Sequence, residues 1–337
     1  MVARTTAAIA VALTVLASCS SGSDPEDPAA PPASTTTATP TPTTPTPTTP
    51  APTTQAARPT SPPTPRPAAT FDAQAAVRHV RVLAGRIGPR LTTGPGFRRA
   101  ARYVERHLRV LGYDVRRQQF PVPAGDSWGV PVEAGSSFNV VATPNGFDER
   151  SAYRIVGAHL DTVAVAPGAE DNASGIAVLL ELARLAATEG TELPTVLVAF
   201  GGEEPRGPGE SMHHFGSVHY VAGLSRAART NLAAMVSLDR VGVGARVPIC
   251  SATSGGTTLR DALLATDVAG RIPTEACAND SSDHYSFVLD GLPGVRVGGT
   301  SYAAYHDETD VSSVLEPGQL GRTGRLIWAW LRPGRAS

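Results

Sequence analysis

Three apolar runs in the middle of the chain each end in acidic or histidine residues, and this pattern constrains the fold most strongly. The runs are RIVGAHLD, TVLVAFGGEE and AAMVSLD. Uninterrupted apolar residues over such a length are typical of strands that are buried on both faces, as in a parallel sheet. Because the carboxyl ends of parallel strands open onto one crevice, we expect His159, Glu203, Glu204 and Asp239 to converge there.

Helical patterns surround these runs. FDAQAAVRHVRVLAG and GFRRAARYVERHLRVLG carry apolar residues at spacings of three and four, which indicates two amphipathic helices. Further strands are expected over about 113–120, 138–143 and 294–297, and a closing helix over about 319–332. The order predicts an α/β fold: a three-layer sandwich in which a mixed, mainly parallel central sheet lies between helices.

Several of the acidic residues and histidines have a local context that suits a metal site. His159 and Asp161 share a strand face, so the Asp161 carboxylate could accept the second ring N–H of His159, as is usual for a metal-bound imidazole. Asp171, in PGAEDNASG, stands at the mouth of a helical stretch, where both carboxylate oxygens could face outwards to two cations. Of the adjacent Glu203 and Glu204, one could coordinate metal while the other takes a proton from an activated water. The candidate ligands for two zinc ions are His159, Asp171, Glu204, Asp239 and His306.

These motifs occur in an order that resembles the di-zinc aminopeptidases of the M28 metallopeptidase family. The resemblance extends from about Phe71 to the C-terminus through HLDTV, PGAEDNASG, FGGEE, SLDRVG, SSDHYSF with GLPGV, and a final YH. It implies a zinc exopeptidase-like fold in which His159 and Asp239 bind one zinc, Glu204 and His306 bind the second, and Asp171 bridges them. It further implies catalytic roles for Glu203 as general base, for Tyr305 as a hydrogen-bond donor to the oxyanion, and for Asp161 beside His159. Asp283 and His284 match a family element that shapes the floor of the cleft, although a structural pair explains them equally well.

The resemblance implies an aminopeptidase that removes N-terminal residues from peptides with a free N-terminus, using a water that two zinc ions activate. Two alternatives stay open: a glutaminyl cyclase-like acyltransferase of the same fold, which uses one zinc, and a non-catalytic peptide-binding lipoprotein. The DNASG turn and the complete ligand set favour hydrolysis. One departure from the family is the long loop PRGPGESMHHF after Glu204. We expect this loop to border the cleft, with His213 and His214 solvated rather than bound to metal.

The first 70 residues differ in composition from the rest of the chain. Residues 1–19 combine a basic start at Arg4, a short apolar stretch and LASC, which is the form of a lipoprotein signal peptide with Cys19 at the lipobox. The apolar stretch is too short to span a bilayer. Residues 20–70 are rich in Pro and Thr and predict a disordered tether, which leaves 71–337 as the peptidase domain. The protein is therefore expected at the extracellular face of the cell membrane, anchored by lipid on Cys19, or secreted if that cysteine is coincidental.

Charge and cysteine content limit the partners. A formal net charge of −1 with dispersed arginines argues against a nucleic-acid partner. With Cys19 assigned to lipid, Cys250 and Cys277 remain, and an oxidising exported location suggests that they form a disulfide. Two free thiols or a pair of zinc ligands are the alternatives, the second disfavoured because the ligand set is already complete. We expect a monomer.

Overall fold

The computed structural model describes residues 68–266, 271–332 and 334. The predicted signal peptide with Cys19, and nearly all of the predicted tether, lie outside the described residues. Within the described ranges, the helices are too short or too polar to cross a bilayer.

An eight-stranded sheet lies at the centre of the fold. Its strands are β1 (Asp114–Val122), β4 (Gly135–Thr143), β5 (Tyr153–His159), β6 (Thr195–Phe200), β7 (Leu232–Leu238), β8 (Val247–Ser251), β9 (Thr274–Ala278) and β10 (Gly294–Val297). Their spatial order is β1-β4-β6-β5-β7-β10-β8-β9. The central strands β6, β5, β7 and β10 are parallel, whereas β1 and β4 pair antiparallel, as do β4 with β6 and β8 with β10. A separate two-stranded ribbon consists of β2 (Gly125–Asp126) and β3 (Pro131–Val132).

Helices cover both faces of this sheet. They are α1 (Ala73–Val80), which continues as a wider turn over Arg81–Ile87, α2 (Pro95–Val110), α3 (Gly175–Glu189), α4 (Phe215–Ala222), α5 (Arg226–Asn231), α6 (Thr258–Leu264), α7 (His284–Leu289) and α8 (Pro317–Leu331). Short 3₁₀ turns occur at Glu210–Met212 and Ser312–Val314.

Side-chain alternation along β6 shows why three layers form. Successive side chains of a strand point to opposite faces. Val196, Val198 and Phe200 belong to one buried cluster, together with residues of α4, α5 and α7. Leu197 and Ala199 belong to the other cluster, with residues of α1, α2, α3 and α8. The expected three-layer α/β sandwich with a mixed, mostly parallel sheet is confirmed.

The last two strands at one end of the sheet, β8 and the edge strand β9, were not predicted from the sequence. Pro248 interrupts β8, and β9 is largely exposed, so neither strand shows the apolar pattern of a central strand. Cys250 and Cys277 are directly paired in the parallel register of these strands. Their sulfur atoms form a disulfide, which confirms the predicted pairing and excludes the free-thiol and zinc-ligand alternatives.

A buried arginine connects the α1–α2 region to the loop that follows β5. The guanidinium of Arg90 is fully buried and donates to the carbonyl oxygens of Leu160, Pro167 and Gly168 at 2.8, 2.5 and 2.8 Å. Gly168 has a φ of 63°, and an added Cβ would lie 2.3 Å from the Asp171 carbonyl oxygen, so only glycine fits. The hydrogen bonds from Arg90 and the close packing at Gly168 therefore both fix the loop that leads to Asp171.

Candidate active site

The carboxyl ends of three adjacent parallel strands bring candidate residues together, as the sequence predicts. β5 ends at His159, β6 is followed by a glycine pair and then Glu203 and Glu204, and β7 is followed by Asp239. All of these side chains are buried, with relative exposures between 1 and 8%. Polar groups at this depth need partners, because an unpaired charge in the interior is costly.

Asp171 lies between two imidazoles. Its Oδ1 is 3.1 Å from Nε2 of His159, and its Oδ2 is 3.4 Å from Nε2 of His306. The residue belongs to the segment Ala169–Ser174, in which Asp171 and Asn172 depart from helical backbone angles and the peptide bond between them is cis. The Asp310 carboxylate accepts hydrogen bonds from the Glu170 and Asp171 N–H groups at 2.9 and 3.1 Å. Asp171 is thus oriented to present one oxygen to each histidine.

Two groups of potential ligands flank Asp171. Oε2 of Glu204 is 3.0 Å from Nε2 of His306 on one side. Oδ1 of Asp239 is 3.7 Å from Nε2 of His159 on the other. The five side chains proposed as ligands are thus gathered in one place, in the arrangement that the family resemblance implies.

The chemistry of this cluster fits zinc. Ligand atoms of His159, Asp171 and Glu204 all lie within 4.8 Å of one another. Buried Oε1 of Glu204 and Oδ1 of Asp239 have no hydrogen-bond partner among the described residues. Imidazole nitrogens and carboxylate oxygens are ordinary zinc ligands, and a cation would compensate both orphaned oxygens.

The acidic residues and histidines of the cluster also shift each other's protonation. Burial raises the pKa of Glu204 to about 8, and the charge of Asp171 adds to this effect. Burial alone would lower the pKa of His306, but Glu204 and Asp171 outweigh it and raise that pKa to about 10. Carboxylates crowded at this density require compensating positive charge, which protons or metal ions can supply.

Glu203 lies beside the ligand cluster and has a separate partner for each carboxylate oxygen. Oε1 is 3.4 Å from Nε2 of His214, and Oε2 is 3.9 Å from Nε2 of His159. Burial would raise the pKa of Glu203, but His159 and His214 outweigh burial and lower it. Glu203 is therefore ionised at neutral pH, as a proton acceptor must be.

Asp161 makes different contacts from those expected. His159 Nδ1 lies 3.2 Å from the Asp161 carbonyl oxygen but 4.0 Å from its carboxylate. The carboxylate instead accepts the backbone N–H groups of Glu203 and Glu204, at 3.2 and 3.3 Å. The expectation of a carboxylate–imidazole contact is corrected, because the side chain turns towards the unpaired N–H groups of the glutamate turn. Asp161 therefore orients His159 through its carbonyl oxygen, and it orients the turn of Glu203 and Glu204 through its carboxylate.

Tyr305 packs directly on a candidate ligand. Its ring stacks on His306 with centroids 3.8 Å apart, and the Arg240 guanidinium lies 4.5 Å above the Tyr305 ring. Burial and the nearby Asp171 raise the pKa of the phenol well above its usual value. The hydroxyl is therefore a stable hydrogen-bond donor.

A cavity of about 140 Å³ opens onto these residues. Larger surface grooves lie elsewhere, near Leu111 and near Phe71, but they lack this cluster of acidic residues and histidines. Chemistry, not volume, identifies the smaller cavity as the candidate active site. Its lining residues are Trp128, His159, Asp171, Glu203, Glu204, Pro205, His213, His214, Asp239, Arg240, Ser281, Arg296, Tyr305 and His306.

Sequence reasoning missed four residues of this cavity. Arg296 is buried and its Nη2 lies 3.1 Å from Oδ2 of Asp239. Trp128 packs edge-on against His306, with centroids 4.4 Å apart. Arg240 immediately follows Asp239, and this position beside a candidate ligand was the only sign in the sequence that Arg240 lines the cavity. His214, expected to be solvated, is 5% exposed and contacts Glu203. That expectation was wrong because the loop folds inwards over the glutamate pair.

The sequence model of peptidase family M28 matches residues 139–331. The chain belongs to peptidase family M28. Among curated relatives, Uncharacterized protein YfbL of Escherichia coli is 30% identical over 183 residues, which cover 54% of this chain and 52% of that protein. The chain spans about half or less of the length of the curated relatives it matches.

Solved structures share the fold. A zinc aminopeptidase from Bacillus subtilis superposes with a TM-score of 0.70 at 17% identity, covering 81% of this chain and 98% of that one. A glutaminyl cyclase from Fimbriiglobus ruber superposes with a TM-score of 0.65 at 25% identity, covering 82% and 99%. Both activities therefore occur on folds similar to this one, and the site residues must decide between them.

Proposed function

We propose that this M28 family member is a zinc-dependent aminopeptidase, which hydrolyses the N-terminal residue from peptides with a free amine. The observation that carries the proposal is the position of Asp171 between the two imidazoles of His159 and His306, with a second carboxylate beyond each. Such an arrangement suits two neighbouring metal ions that share one carboxylate.

The distances support the ligand roles that the family resemblance implies. His159 and Asp239 would hold one zinc, Glu204 and His306 the other, and Asp171 both. When bound, two zinc ions supply a Lewis acid that polarises the scissile carbonyl and lowers the pKa of water.

The protein's own groups carry the proton and stabilise the developing charge. Glu203, ionised at neutral pH, takes the proton of the attacking water and returns it to the leaving amine. The Tyr305 hydroxyl, which lines the same cavity, can donate a hydrogen bond to the oxyanion. The backbone of Glu203 is held by Asp161, so the base has a defined position.

The size of the cavity supports an exopeptidase. Its volume of about 140 Å³ is well below the roughly 300–1,000 Å³ of sites that enclose a drug-sized ligand. A single terminal residue suits this space better than an internal stretch of peptide.

A direct experiment compares matched peptides with free and acetylated N-termini, with and without a zinc chelator. We expect chelator-sensitive release of single residues from the free peptide alone. Glu203→Gln should lower kcat by about 10²–10⁴-fold, because the amide cannot accept the proton of the attacking water, while zinc content stays at the wild-type value. Retained turnover in this variant would exclude Glu203 as the base.

Glutaminyl cyclisation is the second candidate, and the similarity to the Fimbriiglobus ruber enzyme favours it. Such an activity would need one zinc, for which Asp171, Glu204 and His306 suffice. Incubation with a peptide that begins with Gln separates the two candidates. Cyclisation keeps all residues of the peptide and lowers its mass by that of one ammonia, whereas hydrolysis releases free Gln.

We also propose that the protein is exported and anchored by lipid on Cys19. The disulfide between Cys250 and Cys277 supports an oxidising compartment. A labelled fatty acid should be incorporated into the wild-type chain, and Cys19→Ser should abolish this labelling. Equal labelling of both proteins would contradict the anchor.

A further inference from the structure

Strained backbone conformations are concentrated at the candidate active site. In the described part of the chain, the non-glycine residues with a left-handed backbone are Trp128, His214, Arg240 and His306, with φ between 55 and 58°. All four line the cavity. Such conformations are unfavourable for most side chains and are retained where the surrounding structure imposes them, often at functional sites. His306 is a candidate ligand, which leaves His214 as the histidine of this set without a role.

The backbone of His214 is attached to the turn that carries the proposed base. His214 N–H donates to the Glu203 carbonyl oxygen at 3.0 Å, and Phe215 N–H donates to the Gly202 carbonyl oxygen at 2.8 Å. The His214 carbonyl oxygen accepts from the Ser217 hydroxyl at 3.2 Å and from the Val218 N–H at 2.9 Å. Hydrogen bonds on both sides of the residue therefore determine the direction of its side chain.

The imidazole of His214 reaches one oxygen of the Glu203 carboxylate. Nε2 of His214 is 3.4 Å from Oε1, while Oε2 faces His159 at 3.9 Å. A carboxylate that is held through Oε1 can still accept a proton from water at Oε2. The histidine is 5% exposed, so solvent competes little for this contact.

Glu203 could itself serve as a metal ligand, and that role would remove it from catalysis. Ligand atoms of His159, Glu203 and Asp239 lie within 4.8 Å of one another, which is close enough for all three to bind one metal ion. A glutamate side chain has three rotatable bonds, so a small rotation could convert the base into a ligand. A contact that holds Oε1 away from the metal ligands opposes this rotation.

We propose that His214 is a positioning residue: its Nε2–H donates to Oε1 of Glu203 and keeps this carboxylate in place as the base instead of a metal ligand. This inference rests on the proposed function, because it assigns His214 a role only if Glu203 is the base. In this interpretation, the long loop after Glu204 places a buried hydrogen-bond donor, His214, beside the carboxylate of Glu203.

The test compares two variants of the full chain. In His214→Gln the amide nitrogen can occupy the place of Nε2, whereas in His214→Asn the amide is too short to reach Oε1. Asn tolerates a left-handed backbone, so the shorter variant should still fold. We expect His214→Asn to lower kcat by about 10–100-fold, as is typical when support of a metal-site residue is lost, with KM within about threefold of wild type. His214→Gln should recover most of kcat.

A spectroscopic readout separates positioning from a general structural effect. The absorption spectrum of the cobalt(II)-substituted protein reports its ligand set. We expect this spectrum to change in His214→Asn, as Glu203 enters the coordination sphere, and to resemble wild type in His214→Gln. It should also return towards wild type in the His214→Asn, Glu203→Ala double variant.

The outcomes distinguish this inference from the proposed function. If wild type shows no chelator-sensitive hydrolysis of free-amine peptides, the proposed function fails irrespective of His214. If wild type is active and His214→Asn keeps the wild-type kcat and cobalt spectrum, the positioning role is overturned. A rise in KM at unchanged kcat would also overturn it, because such a result indicates lost substrate binding.

Discussion

At the scale of single residues, Asp171 has the strongest claim to a functional role, because both of its carboxylate oxygens face histidines. We predict that each wild-type chain binds two zinc ions and that Asp171→Asn binds at most one. The affinity for the remaining ion should fall by at least about 10–100-fold. The amide keeps the size of the side chain, so the variant should still fold. Metal analysis after dialysis measures the effect, and a full complement of zinc in the variant would refute the bridging role.

Another residue-scale prediction concerns the pH dependence of stability and the buried His79. His79 Nδ1 lies 2.7 Å from the Tyr103 hydroxyl, and burial, with a smaller contribution from His107, lowers the pKa of His79 to about 4. The unfolded chain, with an ordinary pKa of about 6.5, then binds more protons than the native protein as the pH falls from about 6.5 to 4. Stability is therefore lost over this window.

The corresponding measurement is denaturant unfolding at pH 7 and pH 5. Protonation of His79 should lower the free energy of unfolding of the wild type by about 1–2 kcal/mol between pH 7 and pH 5. The decrease in His79→Gln should be smaller by the same amount. Equal losses in the two proteins would show that His79 titrates normally.

Residue identities were predictable where they follow a strand. His159 and Asp239 end apolar runs, so the strand pattern alone places them at the sheet edge. His214, Trp128 and Arg240 were not predictable, because their side chains reach the cavity through left-handed backbone conformations that leave no periodic pattern. The carbonyl contact of Asp161 was missed for a related reason, since sequence spacing does not distinguish main-chain from side-chain acceptors.

At the scale of secondary-structure elements, Arg90 connects the helical layer to the loop before α3. Burial lowers the pKa of Arg90 to about 10, so it stays charged at neutral pH. We predict that Arg90→Met destabilises the fold by about 3–5 kcal/mol, because several buried carbonyl oxygens lose their donor. Arg90→Lys should recover only part of this loss, since an ammonium cannot reproduce the fork of the guanidinium.

Urea unfolding of the zinc-free protein measures this effect without a contribution from metal binding. Loss of less than about 1 kcal/mol in Arg90→Met would show that water satisfies the carbonyl groups instead.

The secondary-structure elements were not all equally predictable from the sequence. The apolar central strands and α8 were evident from the sequence, whereas β8 and β9 owe their place to pairing and to the Cys250–Cys277 disulfide, which act between segments distant in sequence.

At the scale of the whole molecule, the fold and the site have one physical origin. The parallel order of β6, β5 and β7 brings their carboxyl ends together, and Asp171 and His306 arrive there from loops. Family membership therefore agrees with an arrangement that the strand pattern already predicts. The loop after Glu204 folds inwards and places His214 against the proposed base.

The most direct test of the proposed two-zinc site is titration of zinc into the metal-free full-length chain, with metal content and turnover of a free-amine peptide measured on the same samples. We predict that each chain binds two zinc ions, that hydrolysis reaches its maximum at the second equivalent, and that the acetylated peptide is not cleaved. Saturation at one zinc, with cyclisation of N-terminal Gln and no release of free residues, would contradict the aminopeptidase assignment.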